Sequence, residues 1–177
     1  MISPDLLHEL RLAQELVTGL LEGMQEESFR RQYHPDLSPL GWHLGHCAYT
    51  ECYWLQEIAQ RDDRFTTPVA DLYTPPRTPK PERGKLLPPC EALLQWVRGM
   101  QSQNLDSLSD PAAPLHEHPL MKDGYLIHFL IQHHSQHFET MLMVLSQRAL
   151  HRDPDNFRVG HPITPQAIER DTCHIAA

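Results

Sequence analysis

Apolar residues recur at steps of three and four along four stretches of the chain. Leu6, Leu10, Ala13, Val17 and Leu20 follow a Ser3-Pro4 start and continue to about Gly23. Serine then proline is a helix opening, because the hydroxyl caps free N–H groups and proline has none to satisfy at the first helical position. A second such start, Ser38-Pro39, opens a run to about Gln60. Leu40, His43, Cys47 and Trp54 share one stripe of it with Thr50 as the polar member, and Trp42, His46, Tyr49 and Tyr53 form the neighbouring row. A third run extends from about Cys90 to Leu108, with Leu93, Leu94, Trp96, Val97 and Met100 as its apolar content and Asp110-Pro111 as its stop. A fourth begins between Pro119 and Gly124 and continues to about His151.

Four long periodic segments with no strand-like alternation predict an all-α fold, a four-helix bundle with coiled-coil-like core packing. Residues 61–89 carry seven prolines and few apolar anchors. A connection of that length is functional, a crossover, or both. As a crossover it runs the length of the bundle and makes the second and third helices parallel, giving an up-down-down-up order. The bundle is expected over residues 1–151. Residues 152–177 have at most one short helix, after Thr164-Pro165, and read as a packed tail or the start of a linker to a second domain.

Composition narrows the setting. A chain of 177 residues suits one core. A net charge of −8 with no basic run argues against nucleic acid as a partner. No stretch approaches the roughly eighteen apolar residues of a membrane span, and MISPDLLHEL lacks a positive region leading into an apolar one. A cytoplasmic protein without membrane contact is expected. Cys47, Cys52, Cys90 and Cys173 lack C-x-x-C spacing and are read as free thiols.

The chemistry concentrates in IQHHSQHFETM, residues 131–141. Leu126, Leu130, His133, His137, Met141 and Val144 fall on one helical face, so two imidazoles point inward, whereas His134 sits about 100° away and is assigned to a different, outward face. Glu139 is about 160° from His137 and is not expected to ligate. Histidines at i and i+4 can reach one metal, but an isolated H-x-x-x-H pair is more often structural. SPLGWHLGHCAYTECYW supplies a third candidate in His43 or His46. Three inward imidazoles from two helices are easier to explain with a metal than without one, because a bundle interior offers few partners for their nitrogens.

SPLGWHLGH together with HHSQHFETM resembles the paired signatures of DinB-like metal-binding bundles. The particular resemblance is to the amino-terminal domain of ergothioneine-biosynthetic sulfoxide synthases and their selenoneine-forming relatives, which show proline then W-x-L-[AG]-H on one helix and H-x-x-[QM]-H-x-E-T on another. That resemblance implies His46, His133 and His137 as a three-histidine facial site for non-haem iron(II), with His43 a tuning neighbour; ligand type alone fits zinc equally well. It implies a small-molecule thiol substrate whose carboxylates are held by basic residues of the connecting segment, here Arg77, Lys80 and Arg83, although solvated surface charge explains these residues as well. The synthases continue into a second domain, resembling formylglycine-generating enzymes, that supplies a catalytic tyrosine. This chain is therefore expected to bind metal without completing sulfoxide synthesis unless a second domain or partner protein joins it. Two other readings stand beside this one, a free-standing metal-dependent thiol transferase and a non-catalytic metal-binding bundle. Pairing of two copies is compatible with each.

Overall fold

The computed structural model describes residues 2–157, and among these every regular element is helical. The first helix, α1 (Pro4–Gly19), begins as its sequence dictates, with Ser3 Oγ accepting from the Leu6 amide at 3.2 Å. It ends four residues before the expected Gly23. That glycine instead takes φ +69° in the turn that follows, a left-handed conformation available to glycine at little cost. A short α2 (Glu26–Arg30), not anticipated from periodicity, packs its Phe29 ring against Gly41 on the next helix, where a Cβ would lie 2.3 Å from the ring.

Helix α3 (Leu40–Cys52) continues without a break through a π-helical stretch, Tyr53–Ile58. Ser38 is not its cap as expected. Pro39 occupies the capping position, and the Ser38 hydroxyl accepts from Arg83 at 2.6 Å. The proline-rich connection is more ordered than a plain loop: it holds α4 (Ala70–Tyr73) and α5 (Lys80–Leu86). Helix α6 (Cys90–Ser109) follows, its N-terminus capped from a distance by Glu26, whose carboxylate accepts from the Cys90 amide at 2.9 Å. Two 3-10 turns, Pro114–Glu117 and Pro119–Gly124, lead into α7 (Tyr125–Arg152).

Two apolar clusters hold the long helices together. Val17 of α1 and Leu21 in the turn after it meet Leu40, Leu44 and Cys47 of α3, Leu93 and Val97 of α6, and Met141 and Val144 of α7. Leu10 of α1 meets Leu55, Leu108, Leu126, Ile127 and Leu130 at the other end. Each fully buried leucine or valine contributes roughly 1.5–3 kcal/mol relative to exposure. Helix α3 packs against both α6 and α7, and α1 packs against the same two. No helix among the described residues is long and apolar enough to cross a membrane. Cys47, Cys52 and Cys90 are free and buried; burial pushes the Cys52 thiol up to about 12 and raises the other two, so none is a ready thiolate. Cys173, the short helix expected after Thr164-Pro165 and most of the expected tail lie outside the described residues.

Candidate metal centre

Helix α3 carries His43 and His46 on adjacent turns of its buried side, and α7 carries His133 and His137. Because the two helices pack together, ring centroids of His46 and His133 come within 5.1 Å, those of His46 and His137 within 4.8 Å, and those of His133 and His137 within 4.5 Å. One nitrogen from each of these three rings lies within 4.8 Å of the others, and this is the one group among the described residues able to hold a metal ion with three or more ligands.

The environment keeps these rings neutral. Burial is the first cause in every case, lowering His46 to about 4, His133 to about 2 and His137 to about 3, with neighbouring imidazoles adding to the effect in His133 and His137. A neutral imidazole has one lone pair, and the hydrogen bonds decide where it points. His46 Nδ1 donates to the Tyr73 carbonyl at 2.7 Å, so its Nε2 is free to ligate. His133 Nδ1 is buried and meets no hydrogen-bond partner among the described residues. Such an orphan is costly unless something outside the protein satisfies it. Three neutral nitrogen donors and an orphaned buried nitrogen fit a divalent metal of the iron or zinc type.

A layer of support stands behind His46. The Trp42 ring stacks on it at 4.7 Å with planes 9° apart, and Trp42 Nε1 donates to the Leu72 carbonyl at 2.8 Å. Arg83 lies over the Trp42 ring, its guanidinium carbon 3.8 Å from the ring centroid. The connecting segment therefore reaches the centre through the backbone of Leu72 and Tyr73. Gly45 makes that approach feasible, since a Cβ there would stand 2.2 Å from the Tyr73 ring.

The three basic residues of this segment are placed differently from one another. Arg77 is exposed and pairs with Asp71 at 3.0 Å, and Lys80 is exposed and donates to the Asp36 carbonyl. Arg83 is only 4% exposed, and each of its three nitrogens already donates, to Thr78, Ser38 and Pro75. Glu139 is exposed on α7.

One expectation is overturned. His134 is not outward: it is fully buried, Nδ1 donating to the Leu130 carbonyl and Nε2 standing 3.3 Å from Glu51 Oε2, though off the axis of a good hydrogen bond. Helix α7 packs on both α1 and α3, so its buried arc is wide enough to take in a residue 100° from the stripe. Glu51 itself is fully buried and accepts from Gln14 on both oxygens and from Asn104 on Oε1. Sequence reasoning passed over this cluster. Its signal was a carboxylate in an otherwise apolar i, i+4 row, Cys47, Glu51, Leu55, facing Gln14 on the α1 stripe.

Residues 9–141 match the family model described as the DinB superfamily, and the chain belongs to that superfamily. Among curated proteins it is 33% identical over 149 residues to a hercynine oxygenase of Mycolicibacterium smegmatis, a match covering 81% of this chain and 32% of that protein. It is 30% identical over 153 residues to a hercynine oxygenase of Mycolicibacterium thermoresistibile, with 80% of this chain and 32% of the relative covered. The chain thus spans about a third of the length of these relatives.

Proposed function

We propose that the chain is the metal-binding domain of a non-haem iron enzyme that couples a small thiol or selenol to a histidine derivative with dioxygen as oxidant. The observation that carries this reading is the convergence of His46, His133 and His137 as neutral imidazoles within 4.8 Å of one another. The helix arrangement we assign is a four-helix bundle in up-down-down-up order, supported by the way the early part of α1 meets the early part of α7 and the late part of α3. The relatives named hercynine oxygenase support iron and a histidine-derived substrate over other uses of the same triad.

In this reading the three histidines present lone pairs toward one point, and an iron(II) ion held there supplies Lewis acidity toward a thiol and redox chemistry toward dioxygen. Trp42 and the Tyr73 carbonyl keep His46 in the ligating orientation. Arg77 and Lys80 have exposed head groups that can turn toward a substrate carboxylate. Arg83, the third basic candidate, has to give up three hydrogen bonds to do so. A second domain or partner protein completes the chemistry.

The test is metal content and thiol binding. Purified chain loaded with iron(II) in the absence of air should hold one equivalent; His133→Ala and His137→Ala should each lose it, while the folded fraction of His134→Ala keeps it. Equal loss in all three opposes the ligand set. Adding a thiol should shift the absorption spectrum of the loaded protein, and a silent spectrum counts against thiol ligation. Because the whole triad lies within this chain, a metal-dependent thiol transferase is the second reading. Transfer of a thiol to an electrophile by the zinc-loaded chain alone would favour it.

A further inference from the structure

His43 lies against the triad without belonging to it. Its Nδ1 is 2.9 Å from Nδ1 of His137, the side chain is 5% exposed, and its Nε2 is buried with no hydrogen-bond partner among the described residues. Two imidazole nitrogens at that distance attract only if one carries a hydrogen and the other a lone pair. His137 has to be neutral to ligate, and a cationic His43 is disfavoured by its burial against that ring. Each ring therefore has one hydrogen to place, and there are two arrangements.

If His43 donates, the Nδ1 lone pair of His137 is consumed and the hydrogen of His137 must sit on Nε2. Neither nitrogen of His137 is then free for a metal. If His137 donates, its Nε2 keeps a lone pair, and His43, accepting on Nδ1, carries its own hydrogen on Nε2. Only the second arrangement lets His137 ligate.

We infer that His43 is a positioning residue whose Nδ1 accepts the Nδ1 hydrogen of His137, fixing His137 in the tautomer that leaves Nε2 for a metal. The inference rests on the reading of His46, His133 and His137 as ligands. Ligating histidines generally hand their second N–H to an acceptor that sets ring orientation. The Tyr73 carbonyl does this for His46, and His43 does it for His137.

The metal-free chain should show His137 as the Nδ1–H tautomer and His43 as the Nε2–H tautomer in long-range proton–nitrogen NMR spectra. His43→Leu removes the acceptor. It should weaken cobalt(II) binding, measured by chelator competition, about 10- to 100-fold, in the range found when such supporting partners are lost. His43→Asn places a carbonyl oxygen near the former Nδ1 and should recover most of that loss. An Nε2–H tautomer at His137 in the unaltered chain overturns the inference, as does a His43→Leu protein that binds cobalt(II) as tightly as its parent. Loss in His43→Leu that His43→Asn fails to recover also overturns it, since it makes His43 a ligand or a packing residue. Failure of the underlying reading looks different: the unaltered chain then holds no cobalt(II) that His137→Ala removes. The tautomer spectra still decide the role of His43 in that event.

Discussion

The same two helices, α3 and α7, build two buried polar clusters side by side, and the clusters are opposites. Around His46, His133 and His137 the protein leaves nitrogen atoms over: a free Nε2 on His46 and an orphaned Nδ1 on His133. Around Glu51 it leaves little: Oε1 accepts from Gln14 and Asn104, and Oε2 accepts from Gln14 and faces His134. The Glu51 cluster is buried throughout, whereas in the triad His46 is buried and His133 and His137 are half-buried. The difference is one of arrangement: the triad brings three ring nitrogens to one place, whereas the Glu51 cluster mostly pairs donors with acceptors among its own members. A cluster whose donors and acceptors mostly meet one another ties α1, α3, α6 and α7 together, although His134 Nε2 in it makes no good hydrogen bond.

The contrast is most open to attack at Glu51. Glu51→Ala strands the amides of Gln14 and Asn104 in the core and removes the carboxylate beside His134, and should cost about 3 kcal/mol or more in urea unfolding, at roughly 1–3 kcal/mol for each buried polar group left without its partner. Metal stoichiometry of the protein that remains folded should be unchanged. A variant with native stability would erase the distinction between the two clusters.

Acid should act on the histidine cluster with a defined sign. His43, His46, His133 and His137 are all lowered from 6.5, to between about 2 and about 4. Below pH 6.5 the unfolded chain takes up protons that the folded chain refuses, so stability of the metal-free protein should be level above that pH. It should fall as pH drops from about 6.5 toward about 4, by up to about 1.4 kcal/mol per pH unit for each histidine. Urea midpoints at pH 7.5, 6 and 5 measure this, and equal midpoints would contradict neutral burial of the rings.

The smallest effect is expected in the layer behind His46. Trp42→Phe keeps an aromatic face on the imidazole and removes the hydrogen bond to the Leu72 carbonyl, at a cost of about 1 kcal/mol in unfolding free energy. Cobalt(II) affinity should change only slightly. A large loss of affinity would mean that the indole N–H, and not the stack, positions the ring.

Much of this molecule was legible beforehand because it depends on local rules. The Ser3-Pro4 opening, the apolar rows of α1, α3, α6 and α7, and the i, i+4 spacing of His133 and His137 each follow from the 3.6-residue repeat. What misled was the treatment of α7 as a helix with one buried stripe. A helix packed on two neighbours buries a wider arc, and His134 fell inside it. Arg83 shows the same limit from the other direction: in a proline-rich segment it looks like a solvent-facing charge, yet it stacks on Trp42 beneath the surface.

The sequence by itself determined the four long helical segments, the order of the two histidine motifs and the presence of three imidazoles able to face inward, because these depend on backbone geometry within each segment. Only the tertiary structure decided that Tyr73 fixes the tautomer of His46, that His43 meets His137, and that Glu51 gathers Gln14, Asn104 and His134. Those contacts join residues from 27 to 94 positions apart, His46 to Tyr73 being the nearest in sequence and His43 to His137 the farthest. No periodicity within one helix encodes the rotation that its neighbour adopts.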